Sequence, residues 1–228
     1  MNLGYLENDN RQYSPVVLPR HMVNRNSAKL VLETIGDADL NGCDVLDVGC
    51  GRGGIVHLIQ TYYRPKSTFG LDLSPKAIEF CRRTHRFPGA QFVQGDAEHL
   101  PFDEESFDAV TNVESSHSYP DVFAFYREVY RVLRAGGDLL YTDILPVARL
   151  EEYRGFWRDL GLAIERDQDV TSNVLASCDQ SAQQQYGVFA KGAHDQTMAN
   201  ALGVPGSDIY ERMKDGTSSF RILRLHKL

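Results

Sequence analysis

No run of about 18 consecutive apolar residues occurs in this 228-residue chain, so a membrane-spanning helix is not expected. The opening residues, MNLGYLENDN, have neither the basic flank nor the apolar stretch of a secretory signal. Cysteine is scarce: Cys43, Cys50, Cys81 and Cys178 form no CxxC pair. That argues against a disulfide frame or a zinc site and for reduced, structural thiols in a cytoplasmic protein with no metal. Positive charge is also short, with 24 Lys and Arg against 31 Asp and Glu and a net charge of -7. Nucleic acid is therefore not the expected partner, and a small molecule is the better starting point. No Pro/Gly/Ser linker, internal repeat or low-complexity segment divides the chain. Residues 1–228 are expected to form one domain, long enough for one large core.

What is present is an alternation. Apolar residues follow helical spacing from Ser27 to Ile35, and CDVLDV after Asn41-Gly42 reads as a short buried strand. GGIVHLIQTYY resumes the helical period, STFGLDL is a second strand, and SPKAIEFCRRTHR opens with Ser74 as N-cap and Pro75 at the first helical position. AQFVQGD and FDAVTNV follow as strands, DVFAFYREVYRVLR as an amphipathic helix and GGDLLYTDI as a fifth strand. Strands alternating with helices predict an α/β fold with a doubly wound parallel sheet. Beyond Asp143 the pattern gives a helix at VARLEEYRGFWRDLG, a strand at AIERDQ, a helix from about Thr171 to Ala190 and a final strand in SSFRILRLHKL.

The segment VLDVGCGRGG places Gly49, Gly51, Gly53 and Gly54 at the first strand-to-helix junction. Missing side chains there let a ligand approach the backbone and the free N–H groups of a helix start. The same letters satisfy GxGxxG, and Asp72 ends the next strand, so a dinucleotide site in an NAD-dependent oxidoreductase is one reading. Asp47 argues for another. A carboxylate two residues before the first glycine is costly beside a pyrophosphate and favourable beside a cationic ligand. Asp96, in QGDAEHLPF, adds a second strand-end acid. Each of Asp72 and Asp96 alone is as readily a turn cap as a ligand; in register with the glycine turn, the three acids suit a nucleoside carrying a sulfonium and an amino acid.

In order and spacing, VLDVGCGRGG, GLDLSPKAI, FVQGDAEHLPFDEESFDAV and REVYRVLRAGGDLLYTDI resemble the successive motifs of the class I S-adenosylmethionine-dependent methyltransferases. The resemblance runs from about Val45 to Ile144. It implies a Rossmann-like seven-stranded sheet, mostly parallel with an antiparallel last strand. It also implies S-adenosylmethionine as cofactor, with S-adenosylhomocysteine as product. Cofactor contacts are implied at Asp47, Gly49 and Gly51 for the methionine end, Asp72 and Leu73 for ribose and adenine, Asp96 and Ala97 for the adenine edge, and Asn112 through its backbone. NLGYL, VESSHSYPD, DVTSNVLASCD and GVPGSDIYERMKDG look like the branch that methylates hydroxyls of polyketides and lipids in specialised metabolism, although Leu6 stands where relatives carry tryptophan. Residues 1–26 are then an N-terminal helical lid whose Tyr5 is a further expected cofactor contact, 27–144 the cofactor-binding core, and 145–228 the sheet completion with a substrate-facing insertion. Lid and insertion can also serve as a homo-oligomer surface.

The loop ESSHSYP lies past the carboxyl end of the fourth strand, where ligands of open α/β sheets bind. Methyl transfer to a hydroxyl needs the acceptor held in line and its proton removed. His117 is the expected general base, and Glu114, three residues earlier, its expected orienting partner. The alternatives are a non-methylating, cyclase-type enzyme on the same scaffold and N- or C-methylation, since nothing in the sequence shows the acceptor atom.

Overall fold

The computed structural model describes residues 2–7, 16–189, 199–200 and 202–228. Helix α1 (Arg25–Ile35) leads into β1 (Asp44–Val48), α2 (Gly54–Tyr62), β2 (Ser67–Asp72), α3 (Pro75–Thr84), β3 (Ala90–Gln94) and β4 (Phe107–Val113). Then come α4 (Val122–Val132), β5 (Leu133–Pro146), α5 (Leu150–Leu160), β6 (Leu162–Asp169), α6 (Thr171–Phe189), α7 (Asp208–Lys214) and β7 (Ser218–Lys227). The seven strands form one sheet in the order β3-β2-β1-β4-β5-β7-β6. Strands β1 to β5 pair in parallel, and β7 runs antiparallel between β5 and β6. This is the expected seven-stranded sheet with its last strand reversed. Among the described residues no helix is long and apolar enough to cross a membrane.

Period-2 alternation puts helices on both faces. Leu46 and Val48 of β1, Val110 of β4, and Leu139 and Tyr141 of β5 join one cluster with Tyr126 of α4 and Trp157 of α5. Their neighbours Val45, Ala109 and Leu140 join a second cluster with Leu32 of α1 and Ile59 of α2. Local chemistry starts the helices: Ser74 Oγ accepts from Ala77 N ahead of Pro75, and Asp121 Oδ1 accepts from Phe123 N and Ala124 N. Gly161, at φ 94°, ends α5.

Among the described residues of the expected helical lid, 2–7 and 16–24 contain no helix, a departure from the expectation there; Tyr13, the other aromatic of that segment, lies outside the described residues. Residues 2–7 are instead an extended strap held by main-chain bonds on three sides. Leu3 N donates to both Glu114 carboxylate oxygens (2.9 Å each) and Tyr5 N to Asn26 O (2.9 Å). Leu6 N donates to Asn173 O (3.2 Å), and Ser177 Oγ to Leu3 O (2.8 Å). A helix would have satisfied these groups internally. The strap leaves them to its neighbours, and Leu3 and Tyr5 are buried with Leu30, Val174 and Phe220.

Gly4 makes that docking possible. Its φ is +81°, and a Cβ there would lie 2.9 Å from the Asn26 carbonyl carbon. Gly4→Ala is expected to cost about 1–3 kcal/mol, measured as a lower urea midpoint, and to speed proteolysis within the first thirty or so residues; an unchanged midpoint would show that the strap adds nothing to stability.

Candidate active site

Because β1 to β5 are parallel, their carboxyl ends share one edge of the sheet. Asp47 is level with Gly70 of β2 and Thr111 of β4, and Val113 with Thr142 of β5. The turn after β1 is tied to β2: Gly49 N and Cys50 N donate to Leu71 O (2.8 and 2.9 Å), and Gly51 N donates to Asp72 Oδ2 (2.8 Å). Asp72 Oδ1 accepts from Ser74 N (2.9 Å), so one carboxylate both fixes the glycine turn and turns the chain into α3. A cavity of about 570 Å³ opens over this turn, with Gly51, Ile55, Val113, Glu114 and Asn2 in its wall. A Cβ at Gly51 or Gly54 would meet no atom within 4 Å, so the backbone there is open to a ligand.

Asp47 is 1% exposed. Its Oδ1 accepts from Thr111 Oγ1 (2.8 Å), whereas Oδ2 is buried with no partner among the described residues. Burial, aided by the charge of Asp72 and opposed by the Thr111 bond, pushes its carboxyl up to about 7. Asn112 repeats the pattern: Nδ2 donates to Val48 O and Tyr119 OH (2.9 Å each), and Oδ1 is left buried without a partner. Two orphaned acceptors at adjacent strand ends are costly unless a donor arrives. That pair of acceptors matches the ammonium end of an aminoacyl nucleoside and would repel a pyrophosphate.

Leu73, just past β2, is 70% exposed. Asp96 is half exposed and holds its own turn, Oδ1 accepting from Glu98 N (2.9 Å), while the neighbouring Ala97 is buried. Tyr5 does not line the cavity over the glycine turn. Its ring packs among Leu3, Leu30 and Val113, and the strap reaches the cavity through Asn2.

The loop after β4 departs from expectation at Glu114. This residue has φ 50°, a left-handed conformation that turns its side chain toward the strap, where it meets Leu3 N rather than His117. Desolvation pushes its carboxyl up to about 8, against the lowering effect of the Leu3 N–H. The partner of His117 is Asp143, at the end of β5: Nδ1 lies 2.7 Å from Asp143 Oδ1. A carboxylate can only accept, so Nδ1 carries the proton and, in the neutral ring, Nε2 is the unprotonated nitrogen.

Asp143 is fully buried and fully satisfied. Oδ1 also accepts from Ile144 N (2.8 Å), and Oδ2 accepts from Ser116 Oγ (2.6 Å) and His117 N (3.0 Å). Behind it, Tyr141 OH lies 2.7 Å from Ser116 Oγ, and Tyr126 OH donates to Tyr141 OH (3.2 Å). The Asp143 bond raises the imidazole pKa above its ordinary value, opposed by desolvation and by the charge of Arg212.

His117, with its side chain 38% exposed, lines a second cavity of about 300 Å³ with Tyr119, Phe123, Leu145 and Tyr153. Ser115 links this loop to the glycine turn. Its Oγ is 2.7 Å from Tyr119 OH, and a Cβ on Gly49 would fall 1.9 Å from that Oγ, so only glycine fits there. Asp143, the hydrogen-bond partner of His117, is not singled out by the sequence reading. Its signal was the one that singled out Asp72 and Asp96, an acid closing an apolar strand.

A family described as a methyltransferase domain matches residues 46–141. The fatty-acid O-methyltransferase of Mycolicibacterium smegmatis is 36% identical over 227 residues, covering 97% of this chain and 81% of the relative. The phthiotriol/phenolphthiotriol dimycocerosates methyltransferase of Mycobacterium leprae is 34% identical over 211 residues, 90% of this chain and 77% of the relative. Among solved structures, the cyclase SpnF matches 100% of this chain and 87% of its own at TM-score 0.72 and 21% identity. Phosphoethanolamine N-methyltransferase 2 of Haemonchus contortus, in complex with S-adenosyl-L-methionine, matches 89% of this chain and 52% of its own at TM-score 0.72 and 18% identity. These two likenesses concern the fold. Sheet order, glycine turn, orphaned acceptors and full-length relatives agree, and the dinucleotide reading falls away: the chain belongs to the S-adenosylmethionine-dependent methyltransferases.

Proposed function

We propose that this methyltransferase acts on a hydroxyl oxygen of a lipid-like small molecule, with His117 as general base and Asp143 as the partner that orients it. The observation that carries the reading is the His117–Asp143 bond of 2.7 Å at the wall of an apolar-sided cavity. The relatives named for fatty-acid and phthiotriol dimycocerosate methylation support a lipid-like acceptor.

S-adenosylmethionine supplies an electrophilic methyl on a sulfonium, transferred by in-line displacement to leave S-adenosylhomocysteine. Asp47 Oδ2 and Asn112 Oδ1 would accept from its ammonium group, and an ionised Asp47 would add charge complementarity. Gly51 keeps the turn open for close approach, and Gly49 gives Ser115 room to pack beside it. Asp72 and Asp96 would take the ribose hydroxyls and the amino edge of adenine, with Leu73 and Ala97 against the base. Tyr5 serves this site indirectly, by anchoring the strap whose Asn2 closes the cavity.

At the acceptor, the neutral imidazole takes the hydroxyl proton on Nε2 as the new C–O bond forms. Asp143 stabilises the resulting imidazolium, and the half-exposed ring returns the proton to water. Glu114 does not touch the acceptor in this scheme; it holds the strap.

The base works only when neutral, so kcat should rise with pH through an imidazole pKa above 6.5 and level off beyond it. Asp143→Asn removes the largest raising effect, so its rise should come at lower pH and its plateau should fall about 100-fold. His117→Asn should lose about 100-fold or more in kcat and keep its affinity for S-adenosylhomocysteine; full activity in that variant would rule out the base.

Cofactor affinity should carry the signature of Asp47. A bound ammonium favours the carboxylate over the acid, so binding of S-adenosylhomocysteine should release a proton below about pH 7, weaken as pH falls further, and be flat above. Calorimetry in buffers of different ionisation enthalpy reads this directly. Asp47→Asn should abolish the proton release and weaken binding about tenfold.

A further inference from the structure

We propose that the acceptor carries an oxyanion, a carboxylate or a phosphate, and that Arg212 on α7 recognises it. The inference deepens the proposed function and rests on reading the His117 cavity as the acceptor site.

One part of that cavity's wall is apolar: Phe123, Ile144, Leu145 and Tyr153. Several of its polar groups are engaged elsewhere. Ser116 bonds to Asp143 and Tyr141. Asp121 caps α4 through Oδ1 and takes Arg127 on Oδ2 (3.3 Å). Arg149 pairs with Glu152 through Nε and Nη2 (2.7 and 3.1 Å) and lies over the Tyr153 ring at 4.9 Å. Arg212 differs: it lines the cavity, and its guanidinium makes no hydrogen bond or ion pair among the described residues. Asp215, three residues on and within reach of its charge, already accepts from Thr217 N and Oγ1 (2.9 and 2.8 Å).

Arg212 also acts on His117, its charge opposing protonation of the imidazole. The nearby carboxylate of Asp143 is saturated by four donors and so is not available to pair with Arg212. An oxyanion in this cavity pairs with the planar fork of the guanidinium. The apolar wall takes the body of the same molecule. The substrate class is an amphiphile with a hydroxyl, an aliphatic body and one oxyanion.

The test is calorimetry on the full chain saturated with S-adenosylhomocysteine, titrated with decanoate, decyl phosphate and decanol. At least one anion should bind about tenfold or more tightly than decanol, with the gap narrowing as salt is raised; which anion prevails identifies the oxyanion. Arg212→Met should bring the preferred anion down to the affinity of decanol without changing the decanol or S-adenosylhomocysteine affinities, and Arg212→Lys should keep part of the preference. The inference is overturned if decanol binds as tightly as both anions, or if Arg212→Met keeps the preference. It is overturned equally if His117→Asn, and not Arg212→Met, abolishes it. No methyl transfer occurs in these titrations. An anion preference without methylation of any hydroxylated analogue would therefore fault the proposed function and leave the subsite standing.

Discussion

A carboxylate with no surface in water has to be satisfied from inside the protein, and much of the acceptor side of this molecule is arranged around that requirement at Asp143. Ionised and unpaired, such a group costs several kcal/mol. Here four donors converge on it from the loop after β4 and from its own strand. Three of the four come from Ser116 and His117, so the helical turn at Ser116–Ser118 is held by the same bonds that hold the imidazole. Tyr141 and Tyr126 extend the network into the core beside Trp157, where aromatic packing fixes their hydroxyls. Geometry at the acceptor is in this way tied to core packing rather than to a free loop.

The cofactor side has the opposite arrangement. Asp47 Oδ2 and Asn112 Oδ1 are buried without a hydrogen-bond partner among the described residues, and the proposed placement of the cofactor ammonium would satisfy both. Between the two sides stands Ser115, over Gly49 and bonded to Tyr119. A glycine that looks like an opening for a ligand is, at position 49, closed by the neighbouring loop. The space for the ligand lies over Gly51 and Gly54. One glycine motif therefore serves two purposes, close packing and open approach, a division that the letters GxGxxG do not reveal.

What could be read from residues alone follows how local the governing physics is. The alternation of buried strands and amphipathic helices and the Ser74-Pro75 start of α3 are written in neighbouring residues; the reversed last strand is implied only by the family resemblance. The acids at strand ends are visible because an acid in an apolar run is conspicuous. The partner of His117 was not visible, because Asp143 is 26 residues away and adjacent only through the pairing of β4 with β5. The nearer Glu114 was the natural choice for a turn of ordinary handedness, and a left-handed φ at that one residue sends its carboxylate elsewhere. The strap defeated a helical reading for a related reason: its bonds go to Asn26, Glu114 and Asn173, segments that meet only after the sheet is built.

The placement of β7 bears on how the chain reaches this state. Strand β6 precedes β7 in the sequence but lies outside it in the sheet, with no direct pairing to β5. While the chain is being made, β5 and β6 therefore each present an open edge, and both wait for a strand about fifty residues downstream of β6. Pairing β5 directly with β6 in the meantime would exclude β7 and leave Phe220, Ile222 and Leu225 without the core they fill. The charges along β6, Glu165, Arg166, Asp167 and Asp169, discourage that premature closure, as charged edge strands do in general. In the finished sheet Asp167 and Asp169 pair with Arg221 of β7, so the residues that keep the edge open also select the strand that closes it.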